Sequence, residues 1–133
     1  MIVADTNLLI YFYMSGEYTE LAAQVYAQDS VWIAPYLWRS EFRNTSLLYL
    51  RKGLLSLPQI VQINETAVMM MHDNEFHVPS SKILLLASVS KCSAYDCEFV
   101  ALAQEFGVPL VTSDKKVLTA FPHVALSPAQ FIA

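Results

Sequence analysis

The sequence is short of cysteine, glycine, positive charge and long apolar runs. Cys92 and Cys97 are its two cysteines. Two thiols cannot make a disulfide framework, and left unpaired in a chain able to bury a full core they point to a reducing compartment. Three glycines, no internal repeat and no low-complexity tract exclude fibrous and linker-like chains. Lysine and arginine number eight against twelve acids, a net charge of −4. That argues against a nucleic-acid binder working by bulk attraction, but leaves room for an enzyme that meets phosphates through a bound metal. The longest wholly apolar run, Leu8–Met14, has seven residues, where a membrane span needs ~18 or more. The opening Met-Ile-Val-Ala-Asp lacks the basic start of a secretory signal.

What remains is a hydrophobic chain of 133 residues, 55% apolar with a mean hydropathy of +0.38. That length suits one domain spanning residues 1–133. The apolar surplus fits a sheet buried on both faces, or a protein partner.

Short apolar runs alternate with helical patterns. Strands are expected at Ile2–Ala4, Val31–Ala34, Phe76–Val78, Val108–Thr112 and Val124–Leu126. Leu8–Tyr13 is an apolar run leading to a Ser15-Gly16 turn. Helices are expected over Tyr18–Gln28, over Tyr36–Lys52 with Gly53 as its cap, from Ser56 with Pro58 in the first turn, near Glu65–Met71, over Ser81–Lys91, and from Ser93 to Phe106. The alternation predicts a three-layer α/β/α sandwich with a mostly parallel central sheet.

The acids are placed unevenly. Asp29 and Asp73 fall in polar loops. Asp5 follows the first strand, Asp114 follows the Val108–Thr112 strand, and Asp96 lies in the first turn of the Ser93 helix. Beyond the carboxyl ends of parallel strands is where open sheets bind ligands. Asp96 shares a helix face with Phe99 and Ala103, whereas Glu98, about 200° further round, is expected to face solvent. Glu41 lies on a helical stripe with Leu37, Asn44, Thr45 and Leu48. Carboxylates gathered without cations repel one another, and a divalent metal removes that cost. An all-oxygen set suits Mg²⁺ or Mn²⁺.

Each acid also has a plain structural reading. Asp96 completes a Ser93-x-x-Asp96 capping box. Asp5-Thr6-Asn7 makes a strand-to-helix turn, Thr112-Ser113-Asp114 caps the helix holding Lys115 and Lys116, and Glu41 is a solvated helix glutamate. His72, His77 and His123 read as ordinary histidines, and Cys92 and Cys97 as buried thiols. Tyr11, Phe12, Tyr13 and Tyr18 read as core or dimer packing rather than base stacking.

Taken in order, Asp5-Thr6-Asn7, Ser40-Glu41-Phe42, Ser93-Ala94-Tyr95-Asp96 running into Phe99–Ala103, and Leu110-Val111-Thr112-Ser113-Asp114 resemble the PIN-domain ribonucleases. The closest likeness is to the small VapC-like toxins of toxin–antitoxin pairs, over essentially the whole chain. The resemblance implies an acidic quartet of Asp5, Glu41, Asp96 and Asp114 that binds Mg²⁺ or Mn²⁺ and hydrolyses RNA phosphodiester bonds with metal-activated water. Asn7 and Thr112 match supporting positions. It also implies a homodimer silenced by a small antitoxin protein. Lys115 and Lys116, where some relatives carry acids, join Arg39, Arg43, Arg51 and Lys52 as candidates for a substrate rim. A phosphorelay receiver is disfavoured by the absence of aspartate from Arg51–Ile63, and a haloacid-dehalogenase-type phosphatase by Asn7 where a second aspartate is needed. The remaining alternative is a PIN-like RNA- or protein-binding module that does not cut.

Overall fold

The computed structural model describes all 133 residues. Strand β1 (Ile2–Ala4) is wholly buried, as a central parallel strand of β-branched and small residues should be. The chain turns at once into helix α1 (Thr6–Tyr13), because the Asp5 carboxylate accepts the Thr6 N–H and caps it. The apolar Leu8–Tyr13 run is therefore helical. Helix α2 (Thr19–Gln28) and strand β2 (Trp32–Pro35) follow, then α3 (Leu37–Arg51) and α4 (Leu57–Met70). Beyond these come β3 (Glu75–Phe76), α5 (Ser80–Ser88), α6 (Ala94–Phe106), β4 (Leu110–Val111), α7 (Lys115–Ala120), β5 (Ala125–Leu126) and α8 (Pro128–Ile132).

The five strands form one sheet in the order β3-β2-β1-β4-β5, and every pair is parallel. Val3 stands opposite both Ile33 and Leu110, so β1 is the centre of the sheet. The chain builds outward from β1 through β2 to β3, then returns to β1's other side for β4 and β5. The switch point thus lies between β1 and β4, where a crevice opens at the carboxyl edge. Helix α6 crosses β1, β2 and β4 and carries α5 on its outer side, while α1 packs against α2, α3 and α4. Phe99 to Ala103 of α6 are all buried, the mark of a helix enclosed on all sides. With eight helices around the sheet, the architecture is the expected three-layer sandwich.

The caps follow the sequence closely. Ser56 and Gln59 form a capping box ahead of Pro58, and Ser93 and Asp96 form another. Gly107 ends α6 in the left-handed region at φ 63°, where a side chain is strained. The differences also have causes. The two helical segments expected between Ser56 and Met71 are one continuous helix, since nothing between Asn64 and Thr66 breaks it. Strands β3, β4 and β5 are each two residues long, shorter than their apolar runs. Helix α8 was not expected, although Ser127-Pro128-Ala129-Gln130 is a capping box with proline at the first helical position.

Candidate active site

The residues that leave the strands define the site. Asp5 follows β1, and its backbone N–H is bonded to Val111 of β4 at 3.1 Å. Thr112 follows β4 and is completely buried. Its hydroxyl donates to Asp5 Oδ2 at 2.5 Å, and accepts the Asp114 N–H at 3.0 Å and the Asn7 amide Nδ2 at 3.3 Å. One donor and two acceptor sites are thereby filled, the full capacity of a hydroxyl. Asn7 also donates to Asp5 Oδ2 at 3.2 Å and accepts the Ser113 N–H at 3.2 Å. Thr112 and Asn7 thus tie the ends of β1 and β4 together and hold Asp5 in one orientation.

Glu41 is fixed from a different element. The Thr6 hydroxyl donates to Glu41 Oε1 at 2.8 Å, linking the first turn of α1 to α3. The stripe of α3 facing the site is Glu41, Thr45 and Tyr49, at i, i+4 and i+8. The expected stripe is therefore corrected: Asn44 and Leu48 are exposed, because burial of Trp38, Phe42 and Ser46 sets the rotation of the helix. Asp114 caps α7 by accepting the Lys116 N–H at 2.9 Å. Asp96 accepts the Ser93 N–H at 3.3 Å in its capping box.

All four acids and Asn7 line one cleft of about 350 Å³, together with Thr6, Ile10, Tyr11, Thr45 and Tyr49. For Asp96 and Asp114 the capping and the cleft-lining readings both hold. One oxygen serves a helix terminus while the side chain still borders the cleft. A larger hollow of about 440 Å³ sits beside Gly107, Pro109, Pro122 and His123. It holds a single titratable side chain and lies by Pro109, at the entry to β4, so the chemistry belongs to the acidic cleft.

Burial pushes the Asp5 carboxyl up to about 6, against the pull of its Thr112 and Thr6 hydrogen bonds, and the charges of Asp96 and Asp114 push the same way. Glu41 is also raised, first by burial and then by the charges of Asp5, Asp96 and Glu98, with the Thr6 bond opposing. Glu98 corrects the expectation of a solvent-facing side chain. It is half-buried, its carboxyl is raised by that burial, and His77 beside it works in the opposite direction.

The basic candidates do not join the cleft. Arg39 is committed to Glu75 through two bonds of 2.5 and 2.6 Å, and Trp38 Nε1 donates to the same carboxylate at 2.8 Å. Arg39 and Arg43 border a separate depression with Asn64 and Glu65. Arg51 and Lys52 are exposed at the end of α3, and Lys115 and Lys116 lie outside the cleft at the start of α7. Cys92 and Cys97 occupy the positions just before the α6 cap and four residues after it, where apolar side chains staple a helix start. Both are buried, and burial raises both thiols away from reactivity.

Thr6, Tyr11 and Tyr49 line the cleft and Glu98 lies near it, although no sequence motif assigns them to the site. Thr6 belongs to the turn after β1, and its hydroxyl, beside the capping Asp5, reaches Glu41 on the neighbouring helix α3. Tyr11 stands next to the core aromatics in sequence and its ring meets Tyr18. Phe12 does pack in the core on Tyr26 and Trp32, at 4.9 and 5.1 Å, but Tyr11 turns to the cleft. Tyr49 continues the Glu41–Thr45 spacing by one more turn, a periodic signal that leads to it, whereas no spacing in the sequence ties Glu98 to the other acids.

The chain matches the PIN domain family over residues 2–125, and it belongs to that family. PIN domains generally are nucleases, and usually metal-dependent ones. In fold it is similar to the crystal structure of PAE2754 from Pyrobaculum aerophilum, with a TM-score of 0.77 at 14% identity over 98% of this chain and 86% of that one. Comparison with curated proteins gives no match. No helix is long and apolar enough to cross a membrane.

Proposed function

We propose that this protein is a metal-dependent endoribonuclease that hydrolyses RNA phosphodiester bonds, and that it is the toxin half of a toxin–antitoxin pair. The observation that carries the reading is the convergence of Asp5, Glu41, Asp96 and Asp114 on one cleft with no cationic side chain among its lining residues. Repulsion and burial raise Asp5 and Glu41, and a bound cation is the simplest agent that reverses both effects.

The donor set fits Mg²⁺ or Mn²⁺. The titratable side chains lining the cleft present carboxylate and phenol oxygens, with no imidazole or thiol among them. Asp5, Glu41, Asp96 and Asp114 would hold the ion. No group of three or more His, Cys, Asp or Glu side chains forms a ready-made metal site in the structure, so the proposal stands on the cleft's charge and donor chemistry. A cation held there supplies charge for the phosphoryl oxygens and acidifies water. The chain's own part is positioning. Thr112, Asn7 and Thr6 fix Asp5 and Glu41, while two helix caps fix Asp96 and Asp114.

The homodimer and the antitoxin belong to the same proposal. Leu84, Leu85 and Val89 on and just beyond α5, and Leu57, Met69 and Met70 on α4, are more than half exposed, which supports protein partners. The test is incubation of wild type and Asp96→Asn with total RNA and defined hairpins, in Mg²⁺, Mn²⁺ or EDTA. The expected result is discrete cuts by wild type in metal, none in EDTA, and none by the folded variant. Equal behaviour of the two proteins in every condition overturns the reading and leaves a binding module.

A further inference from the structure

Resting on that ribonuclease reading, we propose that Lys91, Lys115 and Lys116 form a phosphate-binding shelf that guides single-stranded RNA into the acidic cleft from the Asp96 and Asp114 side. The three side chains line one depression of about 440 Å³ floored by Cys92, Thr119 and Ala120. They are three of the eight lysines and arginines in the chain. All three are exposed, and none takes part in an ion pair.

Their placement follows from the elements that carry the acids. Lys91 lies two residues before Ser93, which caps the helix bearing Asp96. Lys115 and Lys116 open α7 directly after Asp114. The Cys92 thiol contacts the Lys116 carbonyl at 3.7 Å and holds the two segments together. The shelf therefore lies beside the cleft: Cys92 in its floor is near enough to Asp96 and Asp114, which line the cleft, to feel the charge of both. On α3, which carries Glu41, Arg39 is paired with Glu75, and the half-buried Glu98 adds further negative charge toward Glu41. A polyanion is thus drawn to one flank and repelled from the centre unless a cation is bound there, which reconciles RNA binding with a net charge of −4.

The test is binding of a fluorescein-labelled single-stranded RNA of twelve nucleotides, followed by anisotropy in EDTA across 50 to 200 mM salt. Each phosphate contact to a single strand contributes about 0.7 to the slope of log affinity against log salt. The variant Lys91→Gln with Lys115→Gln and Lys116→Gln is expected to lower that slope by about 2, so that wild type loses about 20-fold more affinity than the variant over this range. The corresponding triple arginine variant is expected to keep the wild-type slope, as is Lys82→Gln, whose lysine is paired with Glu105. A glutamine variant with the wild-type slope overturns the shelf and leaves the ribonuclease reading intact. Failure of wild type both to bind and to cut RNA overturns the two together. A glutamine variant that binds RNA normally but loses a poly-glutamate peptide bound by wild type overturns the shelf in favour of an acidic protein partner.

Discussion

Buried Asp5 should make stability depend on pH in the opposite sense to an ordinary ion-paired acid, and replacing it by asparagine should abolish that dependence. The Asp5 carboxyl titrates at about 6 in the folded protein, against an ordinary 3.8. At 1.36 kcal/mol per pKa unit, ionising it costs about 3 kcal/mol more folded than unfolded. Because the folded pKa is the higher one, the folded state binds the extra proton between pH 3.8 and 6. The stabilisation from protonated Asp5 is complete below the unfolded value and is lost as pH rises through the folded value. Asparagine removes this dependence, but presents an amide to the Thr112 hydroxyl, which already accepts from Asn7 and Asp114. Setting the buried amide N–H against the donors that face Asp5, the Thr112 hydroxyl or the Thr6 N–H, costs about 2 kcal/mol. The variant should therefore be less stable than wild type by about 2 kcal/mol at pH 4 and slightly more stable at pH 8, a swing of about 2.5 kcal/mol. Urea unfolding followed by circular dichroism in EDTA, at both pH values, measures it. A difference between the two proteins that stays constant with pH would refute the burial argument for Asp5.

Other perturbations test the scaffold around the site. Thr112→Val removes a buried hydroxyl with three hydrogen-bond partners, and should cost about 1–3 kcal/mol in urea unfolding. It should also move the Asp5 titration, followed by carboxyl NMR, further upward. Arg39→Leu strands the Glu75 carboxylate, whose side chain is 3% exposed. The cost in urea unfolding should be about 2 kcal/mol, less than for a fully buried pair because a third of Arg39 is solvated. Gly107→Ala forces a side chain into a left-handed cap, and should destabilise by about 1 kcal/mol with no change in the Asp5 titration.

Much of this could be read from residues whose physics is local. Ile2-Val3-Ala4 before an aspartate, Ser56 before Pro58, and Ser93 three before Asp96 each carry a strand end or a cap in a few letters, and each is found in that role. The quartet could be placed at one edge because parallel strands put their carboxyl ends together, and Asp5 and Asp114 flank the switch point. The rest depends on tertiary contacts. The rotation of α3, which brings Tyr49 rather than Leu48 to the cleft, is set by how Trp38 and Phe42 pack. The bond from Thr6 to Glu41 joins two helices whose approach no local spacing encodes. Arg39 looked free to meet substrate because its partner, Glu75, arrives from a two-residue strand at the sheet edge.

In the proposed reaction carboxylates and a water cut RNA, with no histidine or cysteine in the cleft to activate the RNA's own hydroxyl. The most direct measurement is mass spectrometry of the cut ends made by wild type in Mg²⁺ or Mn²⁺, beside Asp96→Asn and an EDTA control. Hydrolysis by water predicts ends without a 2′,3′-cyclic phosphate, continued cutting when the 2′-hydroxyl at the cut site is removed, and no products from the variant or in EDTA. Cyclic phosphate ends, or cutting that survives EDTA and the loss of Asp96, would contradict it.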